Sequence, residues 1–126
     1  MKILIVDDSN TVRNMLNRVI KEILPEASVV EAVDGKTAFH ELTTNSFDLI
    51  ITDLGMAGTD GLSFVNKVKG NSILKKKAII FFTSKPEAIK NTFGGTVHIV
   101  SKNSGQEGIK KKILEVLGNS GGKNGI

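Results

Sequence analysis

Short apolar runs alternate along this chain with longer stretches in which hydrophobic residues recur at helical spacing. Most of the runs lack polar alternation, which is typical of parallel strands that are covered on both faces. The runs predict strands at residues 2–6, 28–32, 78–82 and 96–100, and a central strand that contains Leu49, Ile50 and Ile51 and ends at Asp53. Several of them stop abruptly at carboxylate, hydroxyl or lysine side chains.

The intervening stretches predict helices whose apolar residues lie three and four positions apart. The strongest follows the first strand and is preceded by Ser9 and Asn10, which suit a helix cap. The fourth is short, with Pro86 in its first turn and a glycine pair at its end. The inward-facing residues of the other helices are predicted to be Val12, Met15, Leu16, Val19, Ile20 and Ile23; Ala38, Phe39 and Leu42; Leu62, Val65 and Val68; and Ile109, Ile113 and Leu117.

A strand followed by a helix, five times over, predicts an α/β fold in which a doubly wound parallel sheet carries helices on both faces. The 126 residues have the length of one domain. We expect this domain to occupy residues 1–117. From Gly118 onwards glycine, asparagine and serine dominate, which predicts a flexible tail at residues 118–126.

Composition narrows the class of protein. Cysteine is absent, so disulfides and thiolate metal sites are excluded. The first apolar run is cut off by Asp7 and Asp8, which argues against a signal peptide or a membrane span and favours a cytoplasmic location. The net charge of +4 comes almost entirely from lysine, with Arg13 and Arg18 the sole arginines. Nucleic-acid recognition favours arginine and exposed aromatic residues, so a lysine-solvated surface is the preferred interpretation.

Candidate chemistry lies at the carboxyl ends of four predicted strands, where Asp7, Asp8, Asp53, Thr83 and Lys102 stand. In a doubly wound sheet these ends converge on one edge, which is where such folds bind ligands. Three neighbouring carboxylates repel one another unless a cation joins them. Oxygen ligands without nearby histidine or cysteine predict a Mg²⁺ site.

An aspartate in such a site can act as a nucleophile and form an acyl phosphate. We therefore predict that Asp53 accepts a phosphoryl group and that Asp7 and Asp8 hold the metal together with it. Thr83 and Lys102 would bind the phosphoryl oxygens, since neutralising those oxygens is the main help that phosphoryl transfer needs.

These motifs resemble those of response-regulator receiver domains, and of the stand-alone chemotaxis regulators in particular. The resemblance spans residues 2–117 and lies in Val6-Asp7-Asp8-Ser9, in Asp53 with Met56 and Gly61 after it, in Thr83 and in Lys102. It implies a flavodoxin-like (βα)5 fold with strand order 2-1-3-4-5. It also implies Mg²⁺-dependent phosphotransfer from a histidine kinase or phosphotransfer protein to Asp53.

The resemblance assigns further roles around Asp53. The backbone carbonyl of Gly55 is expected to bind the metal, and Gly55 and Lys85 are expected to tune the lifetime of the phosphate. Thr83 and the residue at position 99 form the family's switch. The partners implied are the phosphodonor and an output protein that the sequence does not name, with the chain acting as a monomer or weak dimer.

The sequence departs from the family pattern at four places. Ile99 replaces an aromatic switch residue, Asn103 replaces a cis-proline, and Ala57 replaces a proline after Met56. A cis bond before a residue other than proline costs about 3–4 kcal/mol, so the sequence leaves open whether this bond is cis, and a trans bond would aim Lys102 slightly differently. The fourth helix, residues 86–93, is shorter than in the chemotaxis regulators. These departures affect the surface through which the family signals to its output proteins more than they affect phosphoryl transfer to Asp53.

Three functions are therefore compared. The favoured one is a phosphorylation-switched signalling module, which catalyses its own phosphotransfer and dephosphorylation without turning over a separate substrate. The alternative is a receiver-like protein-binding module that works without phosphorylation. A haloacid-dehalogenase type of phosphatase is disfavoured, because its Asp-x-Asp pattern after the first strand and its capping insertion are both missing.

Overall fold

A computed structural model of the chain describes residues 1–53, 61–71, 77–89 and 97–120. Its centre is a five-stranded parallel sheet in the order β2-β1-β3-β4-β5, as predicted. The strands are β1 (Lys2–Val6), β2 (Ser28–Ala32), β3 (Leu49–Thr52), β4 (Ala78–Thr83) and β5 (His98–Ser101). The apolar runs therefore predicted every strand of the sheet to within two residues at each end.

Within the described residues the sheet is covered by four α-helices. These are α1 (Asn10–Ile23), α2 (Gly35–Thr44), α3 (Gly61–Lys69) and α4 (Gly105–Ser120). Ser9 caps α1, as predicted, because its hydroxyl oxygen accepts a hydrogen bond from the amide of Val12 at 3.2 Å. Asp34 caps α2 in the same way through the amide of Thr37 at 2.8 Å, and this bond lowers the pKa of Asp34.

The alternation of side chains along each strand divides the core into two layers. Leu4, Ile50 and Phe81 face α2 and α3, where they pack among Phe64 and Val68. The residues between them on the same strands face the opposite side, where α1 and α4 lie. That second layer contains Ile3, Ile5, Leu49, Ile51, Ile80 and Phe82 from the strands and Leu16, Val19, Ile20, Ile109, Ile113 and Val116 from the helices. The predicted helices on both faces of the sheet are thus confirmed.

Two segments differ from their predictions. After Pro86 the structure describes a 3₁₀ turn, Pro86–Ile89, and the remainder of the predicted fourth helix lies outside the described residues. The last helix continues to Ser120, which is three residues beyond the predicted end of the domain at residue 117. Gly118 is exposed and a Cβ added there would meet no other atom, so no neighbouring group blocks the helix at this position. Residues 121–126 of the predicted tail are not among those described.

None of the helices in the described part of the chain combines the length and the hydrophobicity that crossing a bilayer requires.

Candidate functional site

The pairing of β1 with β3 sets two aspartates side by side. Val6 and Thr52 are the last paired residues of these strands, and Asp7 and Asp53 are the next residue in each. The amide of Asp53 donates to the carbonyl of Val6 at 3.0 Å, and the amide of Asp7 donates to the carbonyl of Ala32 on β2 at 3.1 Å. The main chain of both aspartates is therefore fixed by the sheet.

Three carboxylates meet at this edge of the sheet. One oxygen from each of Asp7, Asp8 and Asp53 lies within 4.8 Å of the others. Asp7 is buried, Asp53 is partly buried and Asp8 is exposed, so the cluster opens to solvent on one side. This donor set consists of hard oxygen ligands with access for water, which is what Mg²⁺ prefers.

Lys102 joins two of these carboxylates although it comes from the far edge of the sheet. Its Nζ lies 3.1 Å from Oδ2 of Asp7 and 3.2 Å from Oδ2 of Asp53. Lys102 follows β5 directly, in a short 3₁₀ turn that Ser101 caps through the amide of Asn103 at 3.1 Å. The bond between Lys102 and Asn103, whose isomer the sequence left open, is trans. A single ammonium cannot balance three carboxylates, so the residues present fit a site for a divalent cation.

The electrostatics of Asp7 and Lys102 are coupled. Burial raises the pKa of Asp7 and outweighs the opposing effects of the Ser9 amide, at 2.9 Å from Oδ1, and of Lys102. Burial alone would lower the pKa of Lys102, but its hydrogen bonds and charge interactions with Asp7 and Asp53 together raise it. Lys102 is consequently a permanent cation at neutral pH, held between two carboxylates.

Thr83 ends the neighbouring strand β4, and Ile99 lies two residues before the end of β5. Thr83 is buried at the end of β4 and pairs with Ser101, the residue before Lys102. Its hydroxyl oxygen accepts a hydrogen bond from the amide of Lys85 at 3.0 Å, while the Lys85 residue itself is exposed. Ile99 is partly buried and packs against the core layer under α2 and α3. Gly55, the predicted backbone ligand, lies outside the described residues.

One residue that touches the site was not predicted from the sequence. Arg13 of α1 is buried, and its Nη1 donates to the backbone carbonyl of Asp7 at 2.7 Å. Its Nε binds Glu31 on β2 at 2.8 Å and its Nη2 binds Asn10. One feature of the sequence could have indicated its role: Asn10, Arg13 and Asn17 form a polar stripe on one face of the helix, beside the apolar face.

Comparison with known proteins agrees with this geometry. The response regulator receiver domain family matches residues 3–114. The chemotaxis protein CheY1 of Helicobacter pylori is 34% identical over 122 residues, which cover 94% of this chain and 98% of that protein.

Two solved structures share the fold. Chemotaxis response regulator CheY4 of Vibrio cholerae has a TM-score of 0.80 at 30% identity, covering 92% of this chain and 98% of that one. Response regulator TrrA of Thermotoga maritima, solved in complex with Mg²⁺ and BeF, has the same TM-score of 0.80 at 24% identity and the same coverage of 92% and 98%. The chain belongs to the response regulator receiver domain family, which acts in two-component signalling and includes the chemotaxis proteins that it resembles.

Proposed function

We propose that this chain accepts a phosphoryl group on Asp53 from the phosphohistidine of a kinase or phosphotransfer protein, and that the phosphorylated form signals through contact with an output protein. The observation that carries this proposal is the convergence of the three carboxylates within 4.8 Å, with Lys102 bound to two of them. This arrangement offers a nucleophile, a cation site and a fixed positive charge at one point.

The proposed transfer moves the phosphoryl group from a nitrogen of the donor to an oxygen of Asp53. A carboxylate oxygen of Asp53 forms a bond to phosphorus while the phosphorus–nitrogen bond of the donor breaks, and its electron pair stays on the donor imidazole. Mg²⁺ held by Asp7, Asp8, Asp53 and the Gly55 carbonyl would neutralise charge on the phosphoryl oxygens. Lys102 already lies 3.2 Å from Asp53, so it can follow the charge from the carboxylate to the incoming oxygens.

The acyl phosphate would be lost by attack of water on phosphorus, which returns the Asp53 carboxylate and releases inorganic phosphate. In this proposal the chain catalyses both steps on itself and turns over no separate substrate. The missing side chain at Gly55 would leave water easier access, while Lys85 lies at the second position that tunes this step.

The readout is proposed to pass through Thr83 and Ile99. Thr83 gives up its local bond with the Lys85 amide and binds a phosphoryl oxygen through its hydroxyl, and the β4 and β5 surface then repacks. Because the relatives of this chain described above are chemotaxis proteins, we propose that it acts in a pathway of that class, in the cytoplasm and as a monomer or weak dimer.

The decisive experiment uses beryllofluoride, which mimics a phosphoryl group, together with MgCl₂. We expect amide NMR shifts at Asp53 that extend to Thr83 and Ile99 in the wild type and vanish in Asp53→Ala. Asp48→Asn is the matched control, because Asp48 is exposed at the opposite end of the same strand. Absence of any response in the wild type at millimolar Mg²⁺ would refute phosphoacceptance.

A second candidate is a binding module that works without phosphorylation. The aliphatic Ile99 at the switch position and the 3₁₀ turn at Pro86–Ile89 favour it, because both lie on the proposed readout side. Shifts confined to the strand ends would indicate a relay or phosphate sink, in which phosphate is accepted without switching the output surface. No shift at all would favour the constitutive module.

A further inference from the structure

The guanidinium of Arg13 binds three groups beside the carboxylate cluster. Each of its nitrogens has a separate partner: the backbone carbonyl of Asp7, the carboxylate of Glu31 and the side-chain oxygen of Asn10. The Arg13 side chain is only 11% exposed, whereas that of Glu31 is 42% exposed. Glu31 is held in turn by Asn17, whose amide nitrogen donates to it at 2.8 Å.

The carbonyl that Arg13 binds lies just beyond the last β1–β3 ladder bond, which runs from the Asp53 amide to Val6. A buried carbonyl at this point needs a donor, and Arg13 supplies one at 2.7 Å. The remaining polar atoms of Asp7 are also bound: its amide to Ala32 and its carboxylate oxygens to the Ser9 amide and to Lys102. Asp7 is thus fixed on every side.

The Asp7 carbonyl is part of the peptide unit that leads to Asp8. Because that unit is planar, a donor that fixes its oxygen also fixes the amide of Asp8 and the direction in which the Asp8 residue leaves the strand. Asp8 is exposed and lies past the end of the sheet ladder, so this peptide is one of the groups that set the direction of the Asp8 residue. Residues that orient metal ligands in this way commonly control metal affinity.

We infer that Arg13 is a positioning residue for the metal: by holding the Asp7–Asp8 peptide unit, it sets the spacing of the carboxylates that bind Mg²⁺. This inference rests on the proposed function, since it assumes that the carboxylates bind Mg²⁺. It requires the arginine fork itself, because a lysine ammonium is a point charge that cannot contact three partners in fixed directions.

The test is a titration with MgCl₂ alone, followed through the amide NMR signals of Asp8 and Asp53. We expect Arg13→Met to weaken Mg²⁺ binding by about tenfold or more, the usual size of effect for residues that orient metal ligands. Arg13→Lys should recover only part of this loss. Arg18→Met is the matched control, because Arg18 is an exposed arginine on the same helix, and it should bind as the wild type does.

A second measurement, hydrogen exchange of the Ser9 amide, tests the role of Arg13 without metal. The Ser9 amide donates to Asp7 within the turn that Arg13 braces, so its hydrogen exchange should become faster in metal-free Arg13→Met and remain unchanged in Arg18→Met. Both measurements are made at a temperature where circular dichroism shows each variant to be fully folded. If Arg13→Met does not fold, Glu31→Gln is the substitute, because it weakens the bond between Glu31 and Nε of Arg13. It should raise the Mg²⁺ dissociation constant less than Arg13→Lys does.

The outcomes separate the two claims. A wild type that takes up no Mg²⁺ would overturn the proposed function and this inference with it. Wild-type uptake with equal affinity in Arg13→Met would overturn the inference alone and leave phosphoacceptance standing. Full recovery by Arg13→Lys would show that positive charge is sufficient, which would also overturn the positioning role.

Discussion

The acidic site (Asp7, Asp8, Asp53 and Lys102) and the switch region (Thr83, Lys85 and Ile99) adjoin on the same edge of the sheet but are held by different forces. In the acidic site, charged atoms bind one another across strands, with Lys102 at 3.1 Å and 3.2 Å from two carboxylates. In the switch region, Thr83 bonds to a backbone amide two residues away and Ile99 contacts apolar side chains.

The difference indicates a division between fixed and adaptable parts. A network of directional bonds to buried charges has one favourable geometry, so the acidic site is suited to preorganised chemistry. Apolar packing and a local hydroxyl bond can be exchanged for similar contacts at small cost, so the switch region is suited to repacking. Changes in the two regions should therefore alter different measurable quantities.

The largest effect is expected for Lys102→Met. Loss of the ammonium should slow phosphoryl uptake from phosphoramidate by about a hundredfold, because charge on the transferring oxygens is no longer offset. Mg²⁺ should bind more tightly at the same time, since Lys102 no longer competes for Asp7 and Asp53. Uptake is followed by mass spectrometry and Mg²⁺ affinity by NMR.

Lys110→Met is the control for this variant, because Lys110 binds Glu22 at 2.8 Å on the surface of α4, away from the acidic site. It should take up phosphate at the wild-type rate. A Lys102→Met protein that reacts as fast as the wild type would show that the acidic site does not depend on its fixed cation.

A smaller effect, on stability and its pH dependence, is expected for Asp7→Asn. Burial raises the pKa of Asp7 above its ordinary value of 3.8, so between that pH and the folded-state pKa the folded chain binds more protons than the unfolded one. The free energy of unfolding therefore falls as pH rises through this window. Asparagine cannot ionise, so the variant should lose this fall and be more stable at neutral pH, by on the order of 1 kcal/mol.

Urea unfolding across acid to neutral pH measures this difference, with Glu26→Gln, a change at an exposed carboxylate, as the control. The same variant should bind Mg²⁺ poorly, because one ligand oxygen has lost its charge. An Asp7→Asn protein that is less stable than the wild type at neutral pH would mean that its contact with Lys102 outweighs the cost of burying the carboxylate.

The smallest effect tests the switch region. Ile99→Val removes one methylene from a partly buried contact and should lower the free energy of unfolding by about 1 kcal/mol or less. The Mg²⁺ dissociation constant should not change, because Ile99 contacts the core layer under α2 and α3 and not the carboxylates. Val33→Ala, at an exposed valine, is the control for stability. A changed Mg²⁺ affinity in Ile99→Val would show that the two regions are coupled before phosphorylation.

The strands and the carboxylates that follow them could be predicted because each is marked by residues that are adjacent in the sequence. Apolar runs that stop at Asp7 and Asp53 mark both a buried strand and its end, and parallel pairing then brings those ends together. The strand order came from the resemblance to receiver domains, since periodicity alone does not determine which strands are neighbours.

Arg13 and the end of α4 could not be predicted in the same way. A charged residue on a helix is normally solvated, and only the tertiary structure shows that Arg13 is buried, with bonds to the Asp7 carbonyl after β1 and to Glu31 on β2. Glycine and asparagine are poor helix formers, so the sequence predicts that the last helix ends at residue 117. In the structure the helix continues through Gly118 to Ser120.

The bond between Lys102 and Asp7 joins positions 95 residues apart in the chain. During synthesis on the ribosome, the amino-terminal carboxylates emerge long before their cation, and β1 can pair with β2 and β3 while β5 is still missing. Closing so long a loop comes late in folding. A nascent or truncated chain would thus present the aspartates without the lysine, so the proposed phosphoryl transfer would become fast only after the whole domain has been made and folded.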